Sequence, residues 1–226
     1  PQTERPYFVE ALKPNLVSVQ PLNFETLSQL FLDSLAISAW KSYQGSKWAL
    51  RVNPSSGNLH PTEGYLISGP MEGLLKTPSV YHYCPQVHAL EIRANFSIET
   101  WEKMLDGLPK ETIFVGLSSI YWRESWKYGL RAFRYCHHDL GHASAAISIA
   151  CAGLGWEAVL LDHMDERTLE AILGLTKKNE KEVEIPDCLI AVFPKINAAN
   201  IKKQRIMDDF LSLNWQGTPN VLSKHH

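Results

Sequence analysis

Residues 128 to 156, YGLRAFRYCHHDLGHASAAISIACAGLGW, decide the fold of this chain because they predict one long central helix. No proline interrupts residues 132 to 153, and small side chains are dense there. The second half is apolar on every side, with Ile147 and Ile149 among alanines, and such a helix belongs in the centre of a fold or at an interface. Gly153 and Gly155 predict its end, because glycine tolerates the left-handed backbone that ends helices.

The composition is that of an ordinary globular protein, and one domain is expected from 226 residues that are 45% hydrophobic and 20% charged. A net charge of -2 without a long like-charge run predicts no nucleic-acid partner and no anionic membrane surface. No apolar run approaches the roughly 20 residues of a membrane span. The four cysteines form no C-x-x-C pair, which favours reduced thiols and a cytoplasmic protein over thiolate zinc sites or disulfides.

Three segments are predicted along the chain: a proline-containing, extended N-terminal arm (1–21), a main domain (22–206) and a C-terminal extension (207–226). Within the main domain, Asn23 and Asp165 are expected to cap helices, and Gly174 is expected to end the second of them. Helices and short strands alternate without a strict βαβ repeat. This pattern predicts an α+β layered fold rather than a doubly wound sheet.

The segment RVNPSSGNLHP, residues 51 to 61, packs prolines, serines, a glycine and asparagines into what reads as a rigid polar loop between a helix and a strand. Backbone NH groups, hydroxyls and an amide in such a loop suit a planar polar ligand or a phosphate. An ordinary structural turn is the alternative, because loops of this composition are common.

The string PSSGNLHP closely resembles the P-S-S-x-N-x-Q-P loop of the FMN-dependent nitroreductase superfamily. Its surroundings, together with WKYGLRAFRY, DLGHA and AGLG, are similar to the SagB-type branch, whose members oxidise azoline rings in peptide natural products. The resemblance covers roughly residues 20 to 200. It implies an α+β nitroreductase-like fold, with a central mixed sheet and flanking helices, that forms a dimer with FMN sites at the interface.

The resemblance also assigns cofactor contacts. The loop residues that would contact the flavin are Pro54, Ser55, Ser56 and Asn58. The segment before the helix at Asp165 would give a backbone NH to flavin N5, near Asp162 and His163. The pair Lys203 and Arg205 would neutralise the phosphate, a task for which Arg and Lys are suited; a solvated helix face is the alternative for these two residues.

One feature of the family is missing, since no Arg-Ser-x-Arg string occurs in residues 1 to 30. Either Arg51 shares the phosphate with Lys203 and Arg205, or the flavin site is weakened or lost. A tandem protein, in which two such domains form a pseudo-dimer, would explain the missing start. The expected partner is therefore a second copy or a second nitroreductase-like domain.

Lys127 and Tyr128 match the adjacent Lys-Tyr pair of azoline-oxidising members. The resemblance implies that Lys127 removes a proton from the ring carbon while hydride passes to flavin N5, and that Tyr128 orients or relays the proton. A lysine serves as a base only where desolvation or a nearby cation favours its neutral amine, and Arg131 is the expected cation. A surface lysine beside a packed tyrosine is the alternative.

A histidine cluster, His137, His138 and His142, lies in the middle of the central helix. His138 and His142 have the i, i+4 spacing of zinc ligands, but no H-E-x-x-H string accompanies them. Hydrogen bonding to a partner chain is favoured over metal binding, so no metal is predicted. The sequence thus predicts an FMN-dependent oxidoreductase acting on a small-molecule or peptide substrate, and its rivals are a degenerate flavin-free domain that binds a partner or peptide and a metal-binding protein.

Overall fold

The computed structural model describes residues 6–13, 16–176, 182–195 and 207–217. It contains eight strands, which are β1 (Ile37–Tyr43), β2 (Ser46–Arg51), β3 (Thr62–Ser68), β4 (Ser79–Cys84), β5 (Ala89–Asn95), β6 (Ile113–Ile120), β7 (Trp156–Leu160) and β8 (Glu184–Pro194). Seven helices accompany them in the described ranges: α1 (Phe8–Ala11), α2 (Phe24–Leu32), α3 (Ile98–Met104), α4 (Trp122–Tyr128), α5 (Ala132–Gly153), α6 (Glu166–Leu173) and α7 (Met207–Leu211). Within the same ranges, every helix is too short or too polar to span a bilayer.

Six strands form the central sheet in the order β5-β4-β3-β6-β8-β7. All five pairings are antiparallel. The predicted α+β class is confirmed, but the sheet is antiparallel rather than mixed. Only β3–β4 and β4–β5 are joined directly by short connections, and the other neighbours pair antiparallel across longer connections that contain helices or other strands.

Alternate residues of the inner strands point to opposite faces of the sheet, so each face has its own apolar core. Leu66 and Val115 join α2 and α5 on one face. Ile67 and Phe114 join α3, α6 and α7 on the other. Both faces of the sheet are therefore covered, and the chain forms three layers.

The helix ends follow the local signals in the sequence. Asn23 accepts a hydrogen bond from Thr26 N at 2.9 Å, and Asp165 accepts one from Thr168 N at 2.8 Å. Gly174 ends α6 with φ +70°, the left-handed conformation that glycine adopts without strain. These predicted boundaries are confirmed.

The central helix α5 has two different faces in its second half. Ala143, Ile147 and Cys151 are buried against the sheet, whereas Ala145 and Ser148 are exposed and Ile149 is 41% exposed. Only one face of the second half of α5 is therefore buried in the core. Its small, weakly polar opposite face is open to solvent in the single chain.

The N-terminal arm ends in close contact with the C-terminal end of α5. Gln20 N donates to Leu154 O at 2.9 Å, and Trp156 Nε1 donates to Gln20 O at 2.8 Å. A Cβ on Gly155 would lie 2.8 Å from Val19 Cα, so this glycine permits the close approach of the two backbones. The arm is not wholly extended, however, because α1 forms near its beginning.

Two regions differ from or extend the sequence-based expectations. Residues 37 to 51 form the β1–β2 hairpin, so the loop that follows links two strands instead of a helix and a strand. Phe210 of α7 is fully buried in the second core, and a Cβ on Gly174 would lie 2.3 Å from Trp215. Part of the C-terminal extension therefore packs on the main domain.

Candidate functional site

The antiparallel topology brings several predicted site segments to one edge of the sheet. β3 begins at this edge, and β6, which runs antiparallel to it, ends there. β8 begins there, and β7 runs toward it. The loop before β3, the helix after β6 and the turn after β7 consequently all lie at this edge.

The PSSGN loop, residues 54–61, is held in shape by its own hydrogen bonds. His60 N donates to Ser55 Oγ at 2.8 Å. Asn58 Nδ2 donates to Ala49 O at 2.8 Å, and Asn58 Oδ1 lies 2.7 Å from His60 Nε2. Gly57 has φ +64° and Asn58 has φ +61°, a left-handed turn suited to these residue types. The side chain of Asn58 thus fixes the loop, and its predicted flavin contact stays a prediction.

Lys127 and Tyr128 meet this loop at Gly57. A Cβ placed on Gly57 would lie 2.6 Å from Tyr128 Oη and 2.8 Å from Lys127 Nζ. The ring of Tyr128 packs edge-on against Tyr135 of α5 at 4.6 Å between centroids, and Lys127 Nζ lies 5.3 Å from the Tyr128 centroid. Lys127 is otherwise exposed. The structure therefore joins two motifs that are far apart in sequence.

Two buried carboxylates lie behind the loop. Glu124 of α4 is 0% exposed and Asp139 of α5 is 1% exposed. Asp139 Oδ1 accepts a hydrogen bond from Ser56 N at 3.2 Å. Burial and the neighbouring Asp139 raise the pKa of Glu124 to about 7, opposed by Lys127 and the Ser55 hydroxyl.

An ion network ties α4 to the sheet; Glu63 at its centre is buried, His82 and Arg123 are partly buried, and Glu91 is exposed. Arg123 Nη1 pairs with Glu63 Oε1, and His82 Nε2 lies 2.8 Å from Glu63 Oε2. His82 Nδ1 lies 2.8 Å from Glu91 Oε2. Burial alone would raise the pKa of Glu63, but Arg123 and His82 hold it well below its usual value. Arg123 Nη1 also donates to His60 O at 3.0 Å, so the network supports the end of the PSSGN loop.

Arg51 lies close to this network. Its Nη1 donates to Thr62 O at 2.9 Å. Burial lowers its pKa, as does Arg123, whereas Glu63 opposes the shift. Burial also lowers the pKa of His60 to about 4, with Arg51 and Arg123 adding to the effect, so this ring is neutral at pH 7. Arg51 therefore has a structural contact, and its predicted role at a phosphate is untested.

The turn after β7 contains Asp162 and His163 and leads to Met164, which lines an open groove of about 580 Å³. The groove is lined by Met164 and Glu166 from this side and by Tyr121, Phe133 and His137 from the other. Asp187 also faces it. Burial raises the pKa of Asp187 to about 6, although Ser119 Oγ donates to its Oδ2 at 2.6 Å.

The histidine cluster does not converge on a metal site in the structure. His137 Nδ1 lies 2.8 Å from Phe133 O, one turn earlier in α5, and His138 and His142 are exposed. Within the described ranges, no group of three or more His, Cys, Asp or Glu side chains could hold a metal ion. Lys203 and Arg205, the predicted phosphate contacts, lie outside the described residues.

The described residues suit the ring of a flavin. Pro54 and Gly57 are exposed. Because Gly57 has no side chain, Lys127 and Tyr128 can approach its backbone closely. Ser55 Oγ accepts from His60 N, and its hydroxyl lies beside the carboxyl groups of Glu124 and Asp139 behind the loop. Arg51 already donates into the protein, so its role at a phosphate stays a prediction.

Sequence reasoning missed the buried charges of this site. Glu124 and Asp139 lie on different helices, and Glu63 and Arg123 lie on a strand and a helix. The available signal was that Glu124 comes one turn before Lys127 on the same helix face, and that Asp139 interrupts an apolar helix. Neither pattern shows which side chains meet.

No protein-family model matches this chain. A relative from Methanocaldococcus jannaschii, provisionally named a nitroreductase, is 21% identical over 161 residues, which cover 69% of this chain and 76% of that protein. A solved structure from Ralstonia eutropha with the same provisional name has a TM-score of 0.63 and 18% identity, and covers 88% of this chain and 89% of its own.

Two further structures extend this similarity. A protein from Anabaena variabilis, again provisionally named a nitroreductase, has a TM-score of 0.62 and 22% identity over 74% of this chain. The chain spans about a third, 34%, of that protein. The E. coli microcin synthetase McbBCD complex with truncated pro-MccB17 bound has a TM-score of 0.63 and 18% identity, over 88% of this chain and 76% of its own. These similarities confirm the nitroreductase-like fold.

Proposed function

From this nitroreductase fold we propose that the chain is an FMN-dependent oxidoreductase of the SagB type, which removes two electrons from an azoline-like ring in a small-molecule or peptide substrate. The observation that carries the proposal is the convergence of Lys127 and Tyr128 on Gly57 of the PSSGN loop. The residue proposed as the proton acceptor therefore lies beside the loop proposed to hold the flavin ring. The microcin synthetase neighbour, which has a peptide bound, supports a peptide as the substrate class.

In the proposed reaction, Lys127 Nζ takes a proton from a ring carbon of the substrate. Bound FMN would supply the two-electron acceptor for the hydride that leaves the neighbouring ring atom, so that the single bond between these atoms becomes double. Tyr128 Oη lies beside the same glycine and can orient the substrate or relay the proton. The ion network fixes α4, and with it Lys127, relative to the loop.

The backbone of the turn at Asp162 and His163 is proposed to approach the reactive edge of the flavin, with Lys203 and Arg205 at its phosphate. The groove beside Met164 gives a planar ring access to this turn. Tyr121 and Phe133, whose rings stack at 6.0 Å, form an aromatic wall on its far side. Stacking against such a wall suits a flat heteroaromatic ring.

Flavin binding is tested by the absorption spectrum of the protein as isolated, which should show a flavin band. The double variant Ser55→Ala, Asn58→Ala should raise the Kd for FMN about tenfold or more, because each lost hydrogen bond contributes roughly 1 kcal/mol and the loop also loosens. Ser46→Ala, in the exposed turn end of the β1–β2 hairpin, serves as the control and should bind FMN normally.

Unchanged FMN affinity in the double variant would contradict the placing of the flavin at the PSSGN loop. If the wild-type protein neither carries FMN nor binds added FMN, the flavin-free alternative is favoured instead. In that alternative the domain acts as a structural or peptide-binding partner of a second nitroreductase-like domain.

A homodimer or pseudo-dimer is proposed to form through the open face of α5. Gly141, Ala145 and Ser148 lie on this face at helical spacing and are exposed, with Ile149 beside them. Small side chains allow two helices to approach closely, and isologous pairing of one face is the commonest dimer geometry.

Ala145→Glu should therefore convert a dimer into a monomer, because it buries like charges at the two-fold seam. Light scattering coupled to gel filtration measures the mass. The control is Glu102→Ala, at an exposed position of α3, and this variant should remain a dimer. A wild-type protein that is monomeric at micromolar concentration, with no second domain in its native form, would contradict this arrangement.

A further inference from the structure

Two carboxylates are buried together behind the PSSGN loop, and three of their four oxygen atoms make no hydrogen bond. Glu124 is 0% exposed and Asp139 is 1% exposed. Both oxygens of Glu124 and Oδ2 of Asp139 lack a hydrogen-bond partner in the part of the chain that the structure describes. Burial of an ionised carboxylate without partners is strongly unfavourable, so the two groups require some other form of neutralisation. We call Glu124 and Asp139 the carboxyl pair.

The groups around Glu124 do not neutralise it. Lys127, on the same helix, lowers the pKa of Glu124, yet it donates no hydrogen bond to either oxygen. The Ser55 hydroxyl lowers it as well, whereas burial and Asp139 raise it to about 7. The largest influences therefore favour the protonated acid.

The groups around Asp139 are also too weak to keep both carboxylates ionised. Burial raises the pKa of Asp139, against the opposing effects of Ser55, the Ser56 NH and the exposed His142 and His138.

The nearby thiol of Cys136 responds to the same charges. Its pKa is raised to about 12 by burial and by both members of the carboxyl pair, with a further contribution from Asp187. A cysteine side chain carries no positive charge in either protonation state, so Cys136 cannot offset the charge of the pair. Two carboxyl groups in one such site take up their protons as a coupled unit.

We propose that Glu124 and Asp139 share a single proton behind the PSSGN loop, and that this proton limits the negative charge that Lys127 meets. Two ionised carboxylates would hold Lys127 as an ammonium ion, which cannot act as a base. One remaining negative charge still stabilises the ammonium ion after Lys127 has accepted the substrate proton. The part of the inference that concerns Lys127 as a base rests on the proposed function.

The proton balance of this arrangement is simple. The proton from the substrate carbon moves to Lys127 Nζ, and the single proton of the carboxyl pair stays on the pair. The two residues are positioning residues that set the charge around the base. They do not themselves contact the reacting atoms.

The experiment follows the carboxyl carbons of ¹³C-labelled Glu and Asp by NMR as the pH is changed, in full-length protein without substrate. We expect one carboxyl resonance to titrate near neutral pH and to disappear in Glu124→Gln. In Asp139→Asn the Glu124 titration should move to lower pH, because a neighbouring negative charge is removed. Both changes keep the size of the side chain. The matched control is Glu102→Gln, at an exposed position of α3.

A second measurement uses the ε-carbon resonance of Lys127 in protein that carries ¹³C-labelled lysine. It should shift at the pH where the carboxyl pair titrates, and this shift should be absent in Glu124→Gln. A purely structural role for Glu124 would leave the Lys127 resonance unchanged by this substitution. The effect on Lys127 is thus read without any turnover.

Titration of both carboxyls below about pH 5 would overturn the proposal, because both groups would then be ionised at neutral pH. A titration that moves with potassium concentration would assign a bound cation to the pair and would also overturn it. The expected NMR result without any substrate oxidation would uphold the shared proton and reject the proposed function. Substrate oxidation by a protein whose two carboxyl groups are both ionised would uphold the proposed function and reject the shared proton.

Discussion

Lys127→Ala should reduce oxidation by about 10²- to 10⁴-fold while FMN remains bound, as expected for the loss of a positioned general base. Lys127 Nζ stands over Gly57, yet its side chain is exposed and makes no buried contact on which the loop depends. The measurement is the loss of two hydrogen atoms from a synthetic peptide with one thiazoline ring, followed by mass spectrometry. Flavin absorbance measures cofactor occupancy in the same sample.

The control for this variant is Lys110→Ala, which removes an exposed lysine near the start of β6, at the opposite edge of the sheet. Its rate should match that of the wild type. Tyr128→Phe should have a smaller effect than Lys127→Ala if Tyr128 orients the substrate rather than accepting the proton. Full activity in Lys127→Ala would remove this residue from the mechanism.

Arg123→Met should lower the free energy of unfolding by about 3 kcal/mol, because it leaves Glu63 buried without its strongest partner. Glu63 has a side chain that is 7% exposed, and Arg123 and His82 pair with its two oxygens. Since His82 remains, the loss should lie at the lower end of the range for breaking a buried ion pair. Urea denaturation at pH 6 measures it.

The pH dependence of stability should change in the same variant. The pKa of Glu63 is depressed in the folded chain, so its contribution is present above its usual value of 4.5 and is lost as the pH falls. The pKa of His82 is raised, because the bonds to Glu63 outweigh burial, so its contribution is complete below 6.5 and is lost as the pH rises. The network should therefore stabilise the wild type most between about pH 4.5 and 6.5.

The matched control is Lys103→Met, which removes an exposed ion pair with Glu99 and Asp209 and should destabilise the fold far less, because solvent screens exposed charges. Equal losses in the two variants would show that Arg123 contributes no more than a surface charge. The same result would show that the ion network does not determine the position of α4.

Short-range patterns in the sequence were sufficient for the ends of α2 and α6. Asn23 and Asp165 cap α2 and α6 through hydrogen bonds to residues three positions later. Gly174 ends α6 because its φ is positive. Such interactions join neighbours in the chain, so their signals can be read locally.

The β1–β2 hairpin was missed for a physical reason. Trp40 and Tyr43 are 53% and 68% exposed, and neither strand turns a consistent apolar face to a core. The alternation that identifies a half-buried strand is therefore weak in this segment. As a result, the loop at residues 51 to 61 was expected after a helix, although it links two strands.

By itself the sequence determined the α+β class, the long helix α5, the rigid polar loop and, through its motifs, the resemblance to nitroreductases. Only the tertiary structure decided which side chains meet there: Lys127 and Tyr128 at Gly57, Glu124 beside Asp139, and Arg123 paired with Glu63. It also decided that one face of α5 stays open. Helix and strand signals arise between near neighbours, whereas these contacts depend on how α4 and α5 pack against an antiparallel sheet, and no local pattern encodes that packing.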